Sequence, residues 1–253
     1  IAVSMSVHNA RSQNKIIDSL IILIKKDKPD TNKVKHLNDL GWEIMYTRPD
    51  TSLKLSRRAL ALAKKINWDI GVAISTGQLG TFEWIKGDYP QALRHFLTSL
   101  RCYEKLGMEN KSAAILSNIG TLYLDQKDFD KAFSYYDKAL ILAEKHNDEN
   151  SISFILGSLG NAYAENADYH KALGYFLKGL AISRKQGDKD KIATDLSNIG
   201  SIYAAKGEIK QAIEYNLRSL KLVDSIGNKL AKARNLGNLG SLYTYQKNYA
   251  AAE

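Results

Sequence analysis

The chain has 253 residues, with 36 Lys+Arg against 27 Asp+Glu and a formal net charge of +9. Apolar residues at 44% and charged residues at 25% are ordinary globular proportions and exclude a wholly disordered chain. Even the most hydrophobic run, Leu20 to Ile24, falls far short of the ~18 residues of a membrane span. A single cysteine, Cys102, excludes an internal disulfide and any cysteine-clustered metal site.

Residues 1–12 are small and apolar up to Ala10, with no Lys or Arg before Arg11. They read as a signal-peptide remnant cut near Ala10, which favours a periplasmic or exported chain. The alternative is a disordered arm of a cytoplasmic domain, since His8 fits poorly at the third position before such a cut. Ile1 in place of Met, and a helical pattern that stops at Ala251-Ala252-Glu253, read as the ends of a piece of a longer protein. Ile16 to Ile24 predicts a capping helix within residues 13–28.

From there a repeat organises the chain. Leu/Ile-Gly falls at Leu40-Gly41, Leu79-Gly80, Ile119-Gly120, Leu159-Gly160, Ile199-Gly200 and Leu239-Gly240, so the glycines are spaced 39, 40, 40, 40 and 40 apart. Tyr123, Tyr163, Tyr203 and Tyr243 keep the same register, as do Ala92, Ala132, Ala172, Ala212 and Ala252. The predicted units are 31–66, 70–106, 110–146, 150–186 and 190–226, with a truncated sixth at 229–253. The first is degenerate, with Trp42 after its glycine and Ser52, Ser56 and Ala59 in the later columns.

Each unit carries two helical patterns. In the third, Ala113, Leu116, Ile119, Gly120 and Tyr123 share one face of a helix A. After Lys127-Asp128, Phe129, Ala132, Phe133, Tyr136, Ala139 and Leu140 form a helix B. Asp88, Asp128, Asp168 and Asn248 stand where the free N–H groups of helix B need a cap, and Glu208 fills that place less well. Pro90 sits in a first turn, where a missing N–H costs little. Asn67, Gly107, Asn147, Gly187 and Gly227 suit the left-handed residue that ends a helix. Gly120, Ala132 and Ala139 let the two backbones approach, and Tyr123 and Tyr136 fill the space around that crossing. One hairpin cannot bury its apolar face alone, whereas stacked hairpins share a core.

These residues resemble the tetratricopeptide repeat: Leu116, Ile119-Gly120, Tyr123, Ala132, Tyr136 and Ala139 match its large apolar, Leu-Gly, Tyr, Ala, aromatic, Ala pattern. The resemblance covers about residues 31–253. A unit of 40 exceeds the usual ~34 and is similar to the long repeats of the Leu-Gly-Asn spindle-orientation adaptor, of kinesin light chains and of bacterial peptide-sensing regulators. Leu159-Gly160-Asn161 carries the adaptor's triplet. Arg48-Pro49-Asp50-Thr51 and the run Ala59 to Ala63 look like the opening repeats of bacterial sensor proteins. The resemblance implies an all-α fold, an α-solenoid of antiparallel helix pairs in a right-handed superhelix.

No phosphate loop, nucleophile elbow, zinc helix or calcium loop is present. His8, His36, His95, His146 and His170 share no metal-binding helical spacing and read as isolated surface residues. Cys102, on a B helix beside Tyr103, reads as a structural thiol. Carboxylates recur at turns and caps, with no acid–base pair singled out. No cofactor, metal or enzymatic activity is expected within these residues. Lys131, Lys138, Lys178, Arg184, Lys185, Lys210, Arg218 and Lys221 scatter along B helices, and the tyrosines fall in core columns. No nucleic-acid partner is therefore expected. The basic exterior is read as solvated, or as a surface for acidic partners or anionic headgroups.

The resemblance also implies a concave groove lined by helix A. Among its positions are Gln78 and Trp84; Asn118, Thr121 and Leu124; Phe154, Ser158 and Asn161; Asn198 and Ser201; and Asn238 and Tyr245. This lining is small, polar and nearly uncharged. Asn118, Asn198 and Asn238 stand two residues before the motif glycine, and each amide offers donors and an acceptor to the backbone of an extended peptide. Trp84, Leu124, Phe154 and Tyr245 would then supply specificity. Alternatively, each Asn bonds a neighbouring helix and only sets repeat spacing. The expected function is a non-enzymatic peptide- or protein-binding module, the sensory or interaction part of a larger bacterial signalling or regulatory protein. The alternative is a scaffold that self-associates end to end.

Overall fold

A computed structural model describes the backbone of residues 2–250 and the side chains of residues 14–246. Among the described residues there are twelve α-helices and no strand. The chain divides into two compact units, 1–126 and 127–253, with the division inside the third repeat.

The first unit holds α1 (Ala2–Lys26), α2 (Thr31–Glu43), α3 (Pro49–Lys65), α4 (Asp69–Ile85), α5 (Tyr89–Lys105) and α6 (Glu109–Asp125). The backbone of the stretch read as a remnant or arm is the start of α1, continuous with the predicted capping helix; its side chains lie outside the described residues, and the signal reading with them. Each helix packs on the next, and the A helices α2, α4 and α6 also touch in order. Leu20 and Ile24 of α1 join Val34, Leu37 and Leu40 of α2 and Leu55, Ala59 and Ala63 of α3 in one core. The apolar stripe of α1 thus caps a helix face that would otherwise meet water. Two histidines read as isolated are paired: His36 Nδ1 lies 2.7 Å from Asp27 Oδ2, and His95 Nδ1 lies 2.6 Å from the buried Glu83.

The second unit holds α7 (Phe129–Lys145), α8 (Glu149–Glu165), α9 (Tyr169–Gln186), α10 (Lys189–Ala205), α11 (Ile209–Ser225) and α12 (Lys229–Ala250). Again each helix packs on the next. Ala172, Phe176 and Leu180 of α9 meet Leu196, Ile199 and Ile202 of α10. Phe133 stacks on Tyr163 at 4.1 Å, and Tyr163 on Tyr175 at 5.4 Å.

The helix boundaries follow local chemistry. Asp88, Asp128 and Asp168 each accept a hydrogen bond from a first-turn N–H of helix B, whereas Glu208 makes no such bond. Asp30, Asp148 and Asp188 cap A helices in the same way. The turns into helix A have a left-handed residue at Asn67, Gly107, Asn147, Gly187 and Gly227. Those into helix B have one at Gly87, Lys127, Ala167 and Gly207, and the non-glycine residues there are strained. The sixth repeat departs from expectation: α12 runs through Lys247 and Asn248, so Asn248 caps no helix. A left-handed Lys247 would bear the same strain, and the continuous helix avoids it.

The motif glycine lets helix A meet helix B. A Cβ on Gly80 would lie 2.6 Å from the ring of Phe96, and one on Gly160 2.6 Å from that of Phe176. In the fifth repeat Asn216 replaces the aromatic and lies equally tight against Gly200.

Candidate functional site

The expected groove residues divide between the two units. In the first, Trp84 Nε1 donates to Asp125 Oδ2 at 2.7 Å, linking α4 to α6. Gln78 Oε1 accepts from Ser56 Oγ of α3 at 3.3 Å. Thr121 Oγ1 donates to Ser117 O, back along α6. Leu124 is 6% exposed and packs in the core, so it is not a wall of a channel. Asn118 is half-buried, and its amide has no partner among the described residues.

In the second unit four of the expected residues come together. Phe154, Ser158 and Asn161 of α8 and Asn198 of α10 line a hollow of about 360 Å³. The Phe154 ring is 63% exposed. Its carbonyl accepts from Ser158 Oγ at 3.1 Å, which leaves that hydroxyl turned along its own helix. Asn161 and Asn198 have no hydrogen-bond partner among the described residues. Ser201 is exposed and donates to Ser197 O. Asn238 Nδ2 donates to Asn216 Oδ1 of α11 at 3.4 Å. Tyr245 lines a separate hollow beside the turn at Gly207 and Glu208.

The row of amides therefore has two environments. Two of the amides meet a residue 22 positions earlier, on the preceding helix B. Gln78 meets Ser56 and Asn238 meets Asn216, and each forms a hydrogen bond. For Asn118 and Asn198 the same position holds Phe96 and Phe176, which offer no hydrogen-bonding group. These amides keep their donors and acceptor for another molecule or for water.

A profile of the tetratricopeptide repeat matches residues 71–145, 111–185, 151–225 and 190–253. The chain belongs to the tetratricopeptide repeat family. This tetratricopeptide array is similar to the Signal Transduction ATPase with Numerous Domains protein with a tetratricopeptide repeat sensor from Pyrococcus horikoshii. Identity is 18% and the TM-score 0.73, over 98% of this chain and 41% of that one. It is similar to BtubC (BKLC) from P. vanneervenii, at 19% identity and TM-score 0.69, over 86% and 90% of the two chains. It is also similar to a Rap protein complexed with Competence and Sporulation Factor, at 14% identity and TM-score 0.67, over 96% and 74%. At these identities the likeness is one of fold. No curated protein matches the chain. Tetratricopeptide arrays are non-catalytic interaction scaffolds, and this one is a protein-interaction module.

The hollow on this tetratricopeptide array also holds residues absent from the sequence reading: Asn150 and Ser153 of α8, and Asp190, Lys191 and Asp195 of α10. They lie nearer the helix N-termini than the positions read as lining, and they make the wall charged. The Lys191 ammonium is held by Asn150 Oδ1 at 2.8 Å, Gln186 Oε1 at 3.3 Å and Asp188 Oδ2 at 3.6 Å. Asp195 accepts from Ser183 Oγ of α9 at 2.7 Å. Burial pushes its carboxyl above the ordinary carboxylate range, against the Ser183 hydrogen bond and the Lys191 charge, which pull it down. One signal marked Asp195 in advance. It stands five residues before its motif glycine, where the third and fourth repeats have Ile115 and Ile155. The other repeats have His36, Ser75 and Asn235 there, so Asp195 is the one acid of a mixed column.

Proposed function

We propose that the array binds an extended peptide across α8 and α10, with Asn161 and Asn198 holding the peptide backbone and Phe154 covering one of its side chains. The carrying observation is the exposed Phe154 in a hollow where the Asn161 and Asn198 amides have no hydrogen-bond partner among the described residues. A large exposed apolar group beside unpaired polar groups is the make-up of a binding surface. The fold likeness to a Rap protein complexed with Competence and Sporulation Factor, and to a protein with a tetratricopeptide repeat sensor, supports a sensory or interaction role in a larger bacterial signalling or regulatory protein. Displayed random peptides selected on the chain provide the test. Peptides that bind should lose affinity in Asn161→Ala, Asn198→Ala and Phe154→Ala. Full retention of affinity in the triple variant would overturn the reading.

A second reading, an assembly scaffold, draws on α12. Leu230 is 84% exposed, Leu236 50% and Tyr243 43%. A helix showing this much apolar surface is suited to pack on a second copy.

A further inference from the structure

On the other side of α10, between α10, α11 and α12, lies a second hollow of about 340 Å³. The two hollows share Asp190 and Thr194 as a common wall. The second is lined by Asn235, which is 1% exposed. Asn235 Nδ2 donates to Ala231 O of its own helix at 3.0 Å. Its Oδ1 is buried and has no hydrogen-bond partner.

The register explains the orphan. Asn235 occupies in the sixth repeat the position of Asp195 in the fifth. Asp195 is met by Ser183 Oγ, but in the next repeat Val223 stands where Ser183 would be, and it has no donor. A buried carbonyl without a donor suffers desolvation with no return. The isoleucine of the equivalent positions, Ile115 and Ile155, would avoid that loss. The shared wall adds acceptors of its own. Asp190 Oδ1 already takes a hydrogen bond from Asn228 Nδ2 at 2.9 Å, and the carboxylate can accept more. Lys191 is engaged elsewhere and does not neutralise it. Arg234 is the cation in this lining, and it is exposed.

Given an extended peptide on this face, we infer that the second hollow takes a basic side chain of that peptide, its guanidinium or ammonium against the Asp190 carboxylate and the Asn235 carbonyl. Both protein groups are acceptors, and such a head group is donors only. The stem of a long basic side chain runs along Val223 and Leu230, which line the same hollow. Arg234 competes with the incoming cation by its like charge.

The probes are acetyl-Gly-Gly-X-Gly-Gly-amide peptides in which X is arginine, lysine or citrulline, the last being the uncharged isostere of arginine. They are titrated into the isotope-labelled chain while the side-chain amide signals of Asn161, Asn198 and Asn235 are followed. The arginine or lysine peptide should move the Asn235 signal at about tenfold lower concentration than the citrulline peptide, the equivalent of ~1.4 kcal/mol. Asp190→Asn should abolish that preference; in Asn235→Ile, which lacks that reporter, the preference should be absent at the backbone amide of Thr194 in the same hollow, with the variant melting no lower than the wild type. Arg234→Gln should sharpen it. If all three peptides move Asn161 and Asn198 equally and leave Asn235 unmoved, the basic-residue site is refuted and the peptide groove stands. If none moves any of the three signals, both readings fall.

Discussion

The Asn238 amide donates to Asn216 Oδ1, and Asn216 in turn donates to Ala212 O at 2.8 Å. Asn216 is 1% exposed and fills the place that Phe96, Tyr136 and Phe176 occupy in other repeats. A polar side chain in that column needs partners, and Asn238 is one. Asn198, in the same column as Asn238, has Phe176 at the position corresponding to Asn216 and has no such duty. Equal spacing in the sequence thus conceals two different roles.

The first prediction separates them. Asn238→Ala should lower stability by about 0.5–1.5 kcal/mol, because it leaves Asn216 Oδ1 without its donor. Asn198→Ala should leave the melting temperature unchanged and weaken peptide binding. Thermal denaturation and peptide titration of both variants decide. Matching losses of stability would return Asn198 to a structural role.

Gly160→Leu should destabilise by about 1–3 kcal/mol or more, since a Cβ alone would stand 2.6 Å from Phe176. Gly157, one helical turn away, has no atom within 4 Å of a Cβ built on it. Gly157→Ala should therefore stabilise α8 by about 0.5–1 kcal/mol through the lower entropy of the unfolded chain. Denaturant titrations of the pair test whether the glycine columns differ as the crossing requires.

Ala167 holds a φ of 60° in the turn between α8 and α9, where Gly87 and Gly207 stand in other repeats. Removing its Cβ relieves a left-handed strain of ~1–2 kcal/mol, partly offset by the greater freedom of an unfolded glycine. Ala167→Gly should raise stability by about 0.5–1 kcal/mol. An unchanged or lower midpoint would mean that the turn relaxes around alanine at no cost.

Asp195 has its folded-state carboxyl pushed above the ordinary range, chiefly by burial. The folded chain therefore holds that proton more tightly than the unfolded chain. The resulting stability is present at and below the ordinary carboxylate range, and it is lost as pH rises through the raised folded value. Asp195→Asn keeps an acceptor for Ser183 and removes the charge. It should melt higher than the wild type at neutral pH, and the gap should close on acidification. A gap that widens in acid would reverse the sign of this account.

Self-association through α12 would show as a concentration-dependent increase in scattering mass, abolished by Leu236→Lys. A mass that stays monomeric across a wide concentration series would remove the scaffold reading.

The 40-residue register, the helix pairs and the caps at Asp88, Asp128 and Asp168 were legible in the sequence because they rest on short-range rules: helical periodicity, capping and turn chemistry. Phe154, Ser158, Asn161 and Asn198 were named by what the family resemblance implies for that register, and the structure gathers them in one hollow. Leu124, Asn238 and Asp190 were not. Whether Leu124 faces a core or a channel depends on which helices flank it. Whether Asn238 is free depends on Asn216, 22 residues earlier on another helix. Asp190 looks like any first-turn acid until α8 and α12 bring a hollow to each side of it. Periodicity states which side of a helix a residue occupies, and only packing decides what stands opposite, because the partner comes from a different helix at a distance no local rule reaches.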